Sequence, residues 1–350
     1  MTTRRLLLLL LAFAAGSAAI SCTKESTGGN IPAGAIQLSG AGATFPAPLY
    51  KKWMEEYKKR NPRTVLSYDA VGSGEGIKRF IAGAIDFGAS DAAMSDEQMT
   101  EVGRGVQLIP ATAGILVLAY NPDGIGGDLK LKRDVYVDIF LGKIKKWDDP
   151  RIRAANPHLR LPGDDIAVVT RQDASGTTYA FTNHLSAISE EWRDRGPGTG
   201  TLINWPGTVM SASGNEGVAG RIKISRGAIG YVEYGFAERT GLAMAWLENK
   251  DGQFIQPSGG SGLVTLMNIP MPDNLRVFVP DPEGKDSYPI VTYSWLLLYK
   301  KYDDPQKVSA LKQYLKWDLT VGQEFSESLG YIRLPPQVIA RANDALDKIQ

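Results

Sequence analysis

At 350 residues the chain has room for about two domains, and an apolar content of 43% is ample for their cores. The formal net charge is only +1 and no long basic run occurs, which argues against nucleic acid as a partner. A single cysteine, Cys22, excludes an internal disulfide framework, and with only two histidines, His158 and His184, the composition argues against a zinc site.

In chain order, Arg4 and Arg5 precede an apolar run, Leu6 to Phe13, that is too short to span a bilayer. Small residues follow and end in Ala19-Ile20-Ser21-Cys22, which resembles a bacterial lipoprotein signal, although Leu is usual where Ala19 stands. Residues 1–21 are therefore expected to be removed and Cys22 lipidated. Cleavage there takes away two arginines and no acid, so the formal charge falls from +1 to −1. Residues 22–36 read as a flexible tether, rich in Ser, Gly and Thr.

Ile36 to Ser39 reads as a short strand. The Gly40-Ala41-Gly42 after it lacks the third glycine of a dinucleotide fingerprint, because Phe45 stands there. Pro48, Leu49, Trp53, Met54 and Tyr57 then line one face of a helix. A strand, Thr64 to Ala70, leads into Gly72-Ser73-Gly74-Glu75-Gly76 and a helix bearing Ile77, Phe80 and Ile81. A third turn is Phe87-Gly88-Ala89-Ser90-Asp91. Gly114 to Tyr120 reads as a strand, as do Ile166 to Val169, Ala228 to Val232 and Ile290 to Tyr299; Pro305 to Leu319 reads as an amphipathic helix. Alternation of strand and helix predicts an α/β architecture with mainly parallel sheets and no internal repeat.

The most informative stretch follows the Ile166 strand: Arg171-Gln172-Asp173-Ala174-Ser175-Gly176-Thr177. Ser175 and Thr177 suit a helix N-cap, and Gly176 permits close approach of a ligand to the backbone. Free N–H groups at a helix start attract anions, and Arg171 adds a planar fork of donors. An ordinary capped helix is the competing reading. Ser213-Gly214-Asn215-Glu216-Gly217 reads as a structural helix start, since no cation is near it in sequence.

Five segments together resemble the periplasmic phosphate-binding proteins of high-affinity phosphate ABC transporters. They are Gly42 to Pro48, Phe87 to Asp91, Leu141-Gly142-Lys143-Ile144-Lys145-Lys146-Trp147, Arg171 with Ser175-Gly176-Thr177, and Gly227 to Tyr234. The resemblance implies a two-lobed periplasmic binding protein fold of type II, with the lobes joined by two crossing strands near Ala113–Tyr120 and Pro289–Ser294. Lobe I would be 37–117 with 290–350, and lobe II 118–289. It further implies phosphate contacts from Thr44, Phe45 through its backbone, Ser73, Asp91, Arg171, Ser175, Gly176 and Thr177, with Asp173 holding the Arg171 guanidinium. Asp91 would accept a proton carried by the ligand. Many members have a serine where Gly74 stands, which removes a side-chain donor and leaves the amide.

The implied protein is not an enzyme and uses no cofactor or metal. It would be a monomeric binding subunit that serves a permease and ATPase complex. It would lie in the periplasm or on the outer face of the cytoplasmic membrane, held there by lipid. The competing classes are a binder of another oxyanion such as sulfate or molybdate, and a phosphatase. Against the latter, neither Ser73 nor Ser175 lies in Gly-x-Ser-x-Gly, and a P-loop NTPase is excluded because no Gly-Lys-Ser/Thr occurs.

Overall fold

The computed structural model describes residues 34–350 apart from 122, 123 and 126. The expected export segment, Cys22 and the tether up to residue 33 lie outside the described residues. The tether range overlaps the first strand by one residue, since Ile36 already pairs with Thr64.

The chain opens with β1 (Ile36–Gly42), α1 (Ala47–Arg60), β2 (Thr64–Ala70), α2 (Ser73–Ile81), β3 (Phe87–Ser90), α3 (Asp96–Thr100) and the long β4 (Val106–Tyr120). A middle section holds β5 (Lys130–Leu131), α4 (Arg133–Phe140), α5 (Pro150–Ala155), β6 (Ala167–Arg171), α6 (Gly176–Ile188), β7 (Met210–Ala212), α7 (Gly214–Ile224), β8 (Ala228–Glu233) and α8 (Tyr234–Thr240). Short β9 (Ala243–Met244), β10 (Trp246–Glu248) and β11 (Phe254–Ile255) precede α9 (Gly259–Met267). The chain closes with β12 (Val291–Tyr299), α10 (Pro305–Asp318) and α11 (Pro336–Asp347).

The principal sheet runs β2-β1-β3-β12-β4-β8-β6-β7, with β9 on β4. β4 joins its two halves. Val106 to Ile115 pair antiparallel with β12, and Leu116 to Tyr120 pair antiparallel with β8. The flanking pairs, β1 with β2 and β3, and β6 with β7 and β8, are parallel. Two lobes result, each a sheet half covered by helices, and β4 passes from one to the other. Both β12 and nearly all of β4 are buried, which explains their unbroken apolar sequences.

β4 begins eight residues before the expected strand, at Val106 rather than Gly114. The register shifts where Ser294 and Trp295 of β12 face Thr112 and Pro110, so Ala111 is the extra residue of a bulge in β4, next to a proline that cannot donate to the ladder. Helix α1 buries Leu49, Tyr50, Trp53 and Tyr57, and carries Lys58, Lys59 and Arg60 in its last turn, where cations oppose the helix dipole. Trp53 Nε1 donates to the Gly322 carbonyl at 2.6 Å, which ties the C-terminal segment to the first lobe. Trp147 of the Leu141–Trp147 segment is buried, and its Nε1 donates to the Gly227 carbonyl at 3.0 Å, so that segment braces the entry to β8.

Candidate anion site between the lobes

Parallel βα units leave their loops at the strand C-termini, and here those loops from the two lobes face each other. From the first lobe come Thr44 and Phe45 between β1 and α1, Ser73 at the first position of α2, and Asp91 directly after β3. From the second come Arg171 at the end of β6, Ser175 as the N-cap of α6, and Gly176 and Thr177 in that helix's first turn. All eight positions named from the sequence therefore fall around one locus, and all are buried.

The locus is rich in directed polar groups. Ser175 Oγ accepts from the Thr178 N–H at 3.1 Å, which caps α6. Ser73 Oγ accepts from the Asp91 N–H at 3.3 Å. Asp91 Oδ1 accepts from Ser294 Oγ at 2.8 Å, and Oδ2 from Thr177 Oγ1 at 3.3 Å. The Phe45 carbonyl accepts from the Tyr331 hydroxyl at 2.6 Å. Arg171 Nε donates to Asp173 Oδ1 at 2.9 Å and its Nη2 to Oδ2. The third nitrogen, Nη1, is buried and has no partner. A buried guanidinium nitrogen left unpaired is costly, and a bound anion removes that cost.

The electrostatics are finely divided. Burial pushes Asp91 up to about 7, against the bonds from Ser294 and Thr177 and the Arg171 charge, which favour ionisation. Burial would also raise Asp173, but its two bonds from Arg171 and one from the Gly214 N–H hold it below the usual carboxylate range. Arg171 and Asp173 thus form a fixed pair, and Asp91 sits at the edge of ionisation near neutral pH. His184 lies elsewhere, bonded to the Tyr136 hydroxyl at 2.7 Å and the Pro280 carbonyl at 2.6 Å. Burial lowers it to about 4, so it is a neutral core group. No cluster of His, Cys, Asp and Glu able to hold a metal occurs among the described residues.

The lobes touch directly. A Cβ at Gly176 would lie 2.6 Å from Ser73 Oγ and 2.7 Å from the Ala92 nitrogen, so only glycine allows this approach. The expectation that the Gly74 amide is left for ligand is corrected here. That N–H donates to the Ala174 carbonyl at 2.9 Å, across the cleft. A Cβ at Gly74 would also lie 2.5 Å from that of Ala174, so a serine would collide with the facing loop. A cavity of about 360 Å³, lined from both lobes by residues including Thr44, Lys51, Val71, Gly214 and Phe236, opens beside the site.

Two residues were missed in the sequence. Asn215, read as structural, is fully buried and donates from Nδ2 to both Thr44 Oγ1 and Thr177 Oγ1 at 3.1 Å. Ser294 holds Asp91 from within the apolar β12. A serine inside a continuously buried strand was the available signal for the second. For the first it was an amide side chain in the opening turn of a glycine-rich helix.

A family model described as the PBP superfamily domain matches residues 25–320. Phosphate-binding protein PstS of Pasteurella multocida is 40% identical over 307 residues, which cover 87% of this chain and 88% of the relative. Its namesake in Methanocaldococcus jannaschii is 37% identical over 340 residues, covering 90% and 87%. A crystal structure of a phosphate-binding protein from Stenotrophomonas maltophilia superposes with a TM-score of 0.72 at 18% identity, over 89% of this chain and 94% of that one, a likeness of fold. The chain belongs to the PBP superfamily and, within it, to the PstS family.

Proposed function

We propose that this protein binds inorganic phosphate between its lobes and delivers it to an ABC-type importer. The observation that carries this reading is Arg171. Its Asp173 partner fixes the guanidinium plane, and its Nη1 is buried and has no partner within the protein. Thr44, the Phe45 backbone, Ser73, Ser175, Gly176 and Thr177 supply donors that add no net charge, and Asp91 accepts from a protonated ligand oxygen. Such a set suits a small tetrahedral anion that keeps a proton near neutral pH. The relatives named as phosphate-binding proteins support the same ligand.

In this reading residues 37–117 with 290–350 form the first lobe and 118–289 the second, with ligand binding drawing them together. Residues 1–21 direct export and a lipid on Cys22 anchors a monomeric protein at the outer face of the membrane. The protein carries its ligand without transforming it.

Side-by-side calorimetric titration with phosphate, sulfate and molybdate tests this. Phosphate should bind by far the tightest. Preference for either other anion would reassign the ligand, and no binding of any would refute the reading.

A further inference from the structure

We infer that Asn215 is a positioning residue that sets the direction of hydrogen bonding in the cleft and links the two lobes around the ligand. The inference rests on the phosphate reading above and concerns how its donors are aimed.

The orientation of the Asn215 amide follows from its surroundings. Its Oδ1 accepts from the Glu233 N–H at 3.0 Å, and a backbone N–H can only donate, so the opposite atom is Nδ2. Both hydrogens of Nδ2 are then committed, one to Thr44 Oγ1 and one to Thr177 Oγ1, each at 3.1 Å. The Asn215 N–H also donates to Thr44 Oγ1, again at 3.1 Å. Thr44 Oγ1 therefore receives two donors, which occupy both lone pairs of a hydroxyl oxygen. Its own hydrogen has only one use left, donation to an acceptor. Thr177 Oγ1 receives one donor, and its bond to Asp91 Oδ2 is long at 3.3 Å. Its hydrogen can turn from Asp91 to a ligand oxygen when Asp91 takes up a ligand proton.

A free hydroxyl is indifferent: it donates or accepts as its neighbour requires. A fully buried amide makes Thr44 Oγ1 an aimed donor and fills one lone pair of Thr177 Oγ1, as a ligand presenting mostly lone pairs demands. The same residue spans the cleft. Asn215 stands on α7 of the second lobe, and Thr44 follows β1 of the first, so these bonds exist only with the lobes together. The preceding Gly214 N–H donates to Asp173 Oδ1 at 2.9 Å, which registers the start of α7 against the Arg171–Asp173 pair.

A double-mutant cycle tests this: Asn215→Ala, Thr44→Val and the pair, each titrated with phosphate by calorimetry alongside the parent. Each single variant should lose about tenfold or more in affinity, the effect of one hydrogen bond to a charged group. If Asn215 acts through Thr44, the double variant should fall within about threefold of the weaker single. A merely structural role would not produce that coupling. Should Asn215→Ala fail to fold, Asn215→Asp goes through the same cycle. Its charge penalty persists with Thr44→Val, whereas the part acting through Thr44 vanishes. Losses that multiply fully, or an unchanged affinity in Asn215→Ala, overturn the inference alone. A parent that binds no phosphate, sulfate or molybdate overturns the phosphate reading and the inference with it.

Discussion

Asp91→Asn is the substitution that most sharply separates phosphate from sulfate. The two anions share size and shape, but near neutral pH only phosphate carries a proton. The structure determines how the new amide would sit. Ser294 Oγ donates to Asp91 Oδ1 at 2.8 Å, so an asparagine would keep its oxygen on that side and place its NH2 where Oδ2 now faces Thr177. An acceptor at the ligand becomes a donor. Phosphate then loses a charge-assisted bond of about 1.5–3 kcal/mol, or roughly 10- to 150-fold in affinity. Sulfate exchanges a repelling carboxylate for a donor and gains by a similar amount, so selectivity should fall by about 10²- to 10⁴-fold. Acidity gives an internal control. Burial raises Asp91 to about 7, so below that pH the parent's own carboxyl becomes a donor. Sulfate affinity of the parent should therefore rise as pH falls through 7, while that of the variant stays level. Calorimetry with both anions from pH 5.5 to 8.5 reads all of this. A variant that rejects sulfate as firmly as the parent at every pH would show that Asp91 does not read the ligand proton.

Other outcomes follow from separate features. Gly176→Ala places a Cβ within 2.6 Å of Ser73 Oγ, and overpacking of about 1–3 kcal/mol should weaken phosphate binding roughly 5- to 150-fold. The ligand-induced fall in radius of gyration, followed by solution scattering, should then need correspondingly more phosphate; an unchanged titration refutes the closed-cleft contact. Glu233 caps α8 while fully buried, and burial raises it from 4.5 to about 8. Between those values the folded protein holds a proton that the unfolded chain has lost, so stability falls as pH rises through that window and levels off above it. Glu233→Gln should flatten the decline in Tm between pH 5 and 8, and an equally steep decline would exclude Glu233 as its source. Cys22→Ala should shift the protein from the membrane to the soluble fraction or leave it unprocessed, with phosphate binding intact; unchanged partitioning refutes lipid anchoring.

Local physics made much of this molecule legible from its residues. The apolar face of Leu49 to Tyr57, the Thr64 to Ala70 strand and the Ser-Gly-Thr start of α6 each formed where expected. The eight residues by which β4 exceeds its expected start at Gly114 lie outside the strand read from sequence, and they are held as strand by pairing with β12, nearly two hundred residues away, across a bulge at Ala111. The convergence of three first-lobe loops on Arg171 came from resemblance, since no periodicity relates Thr44 to Thr177. Polarity of the site belongs to tertiary structure alone. Asn215 and Ser294 are an unremarkable amide and hydroxyl in sequence, and they matter only because folding sets them at 3.1 Å from two threonines and 2.8 Å from Asp91. The near-neutral Asp91 has the same origin, for no sequence pattern encodes its desolvation, which comes from two lobes closing over it.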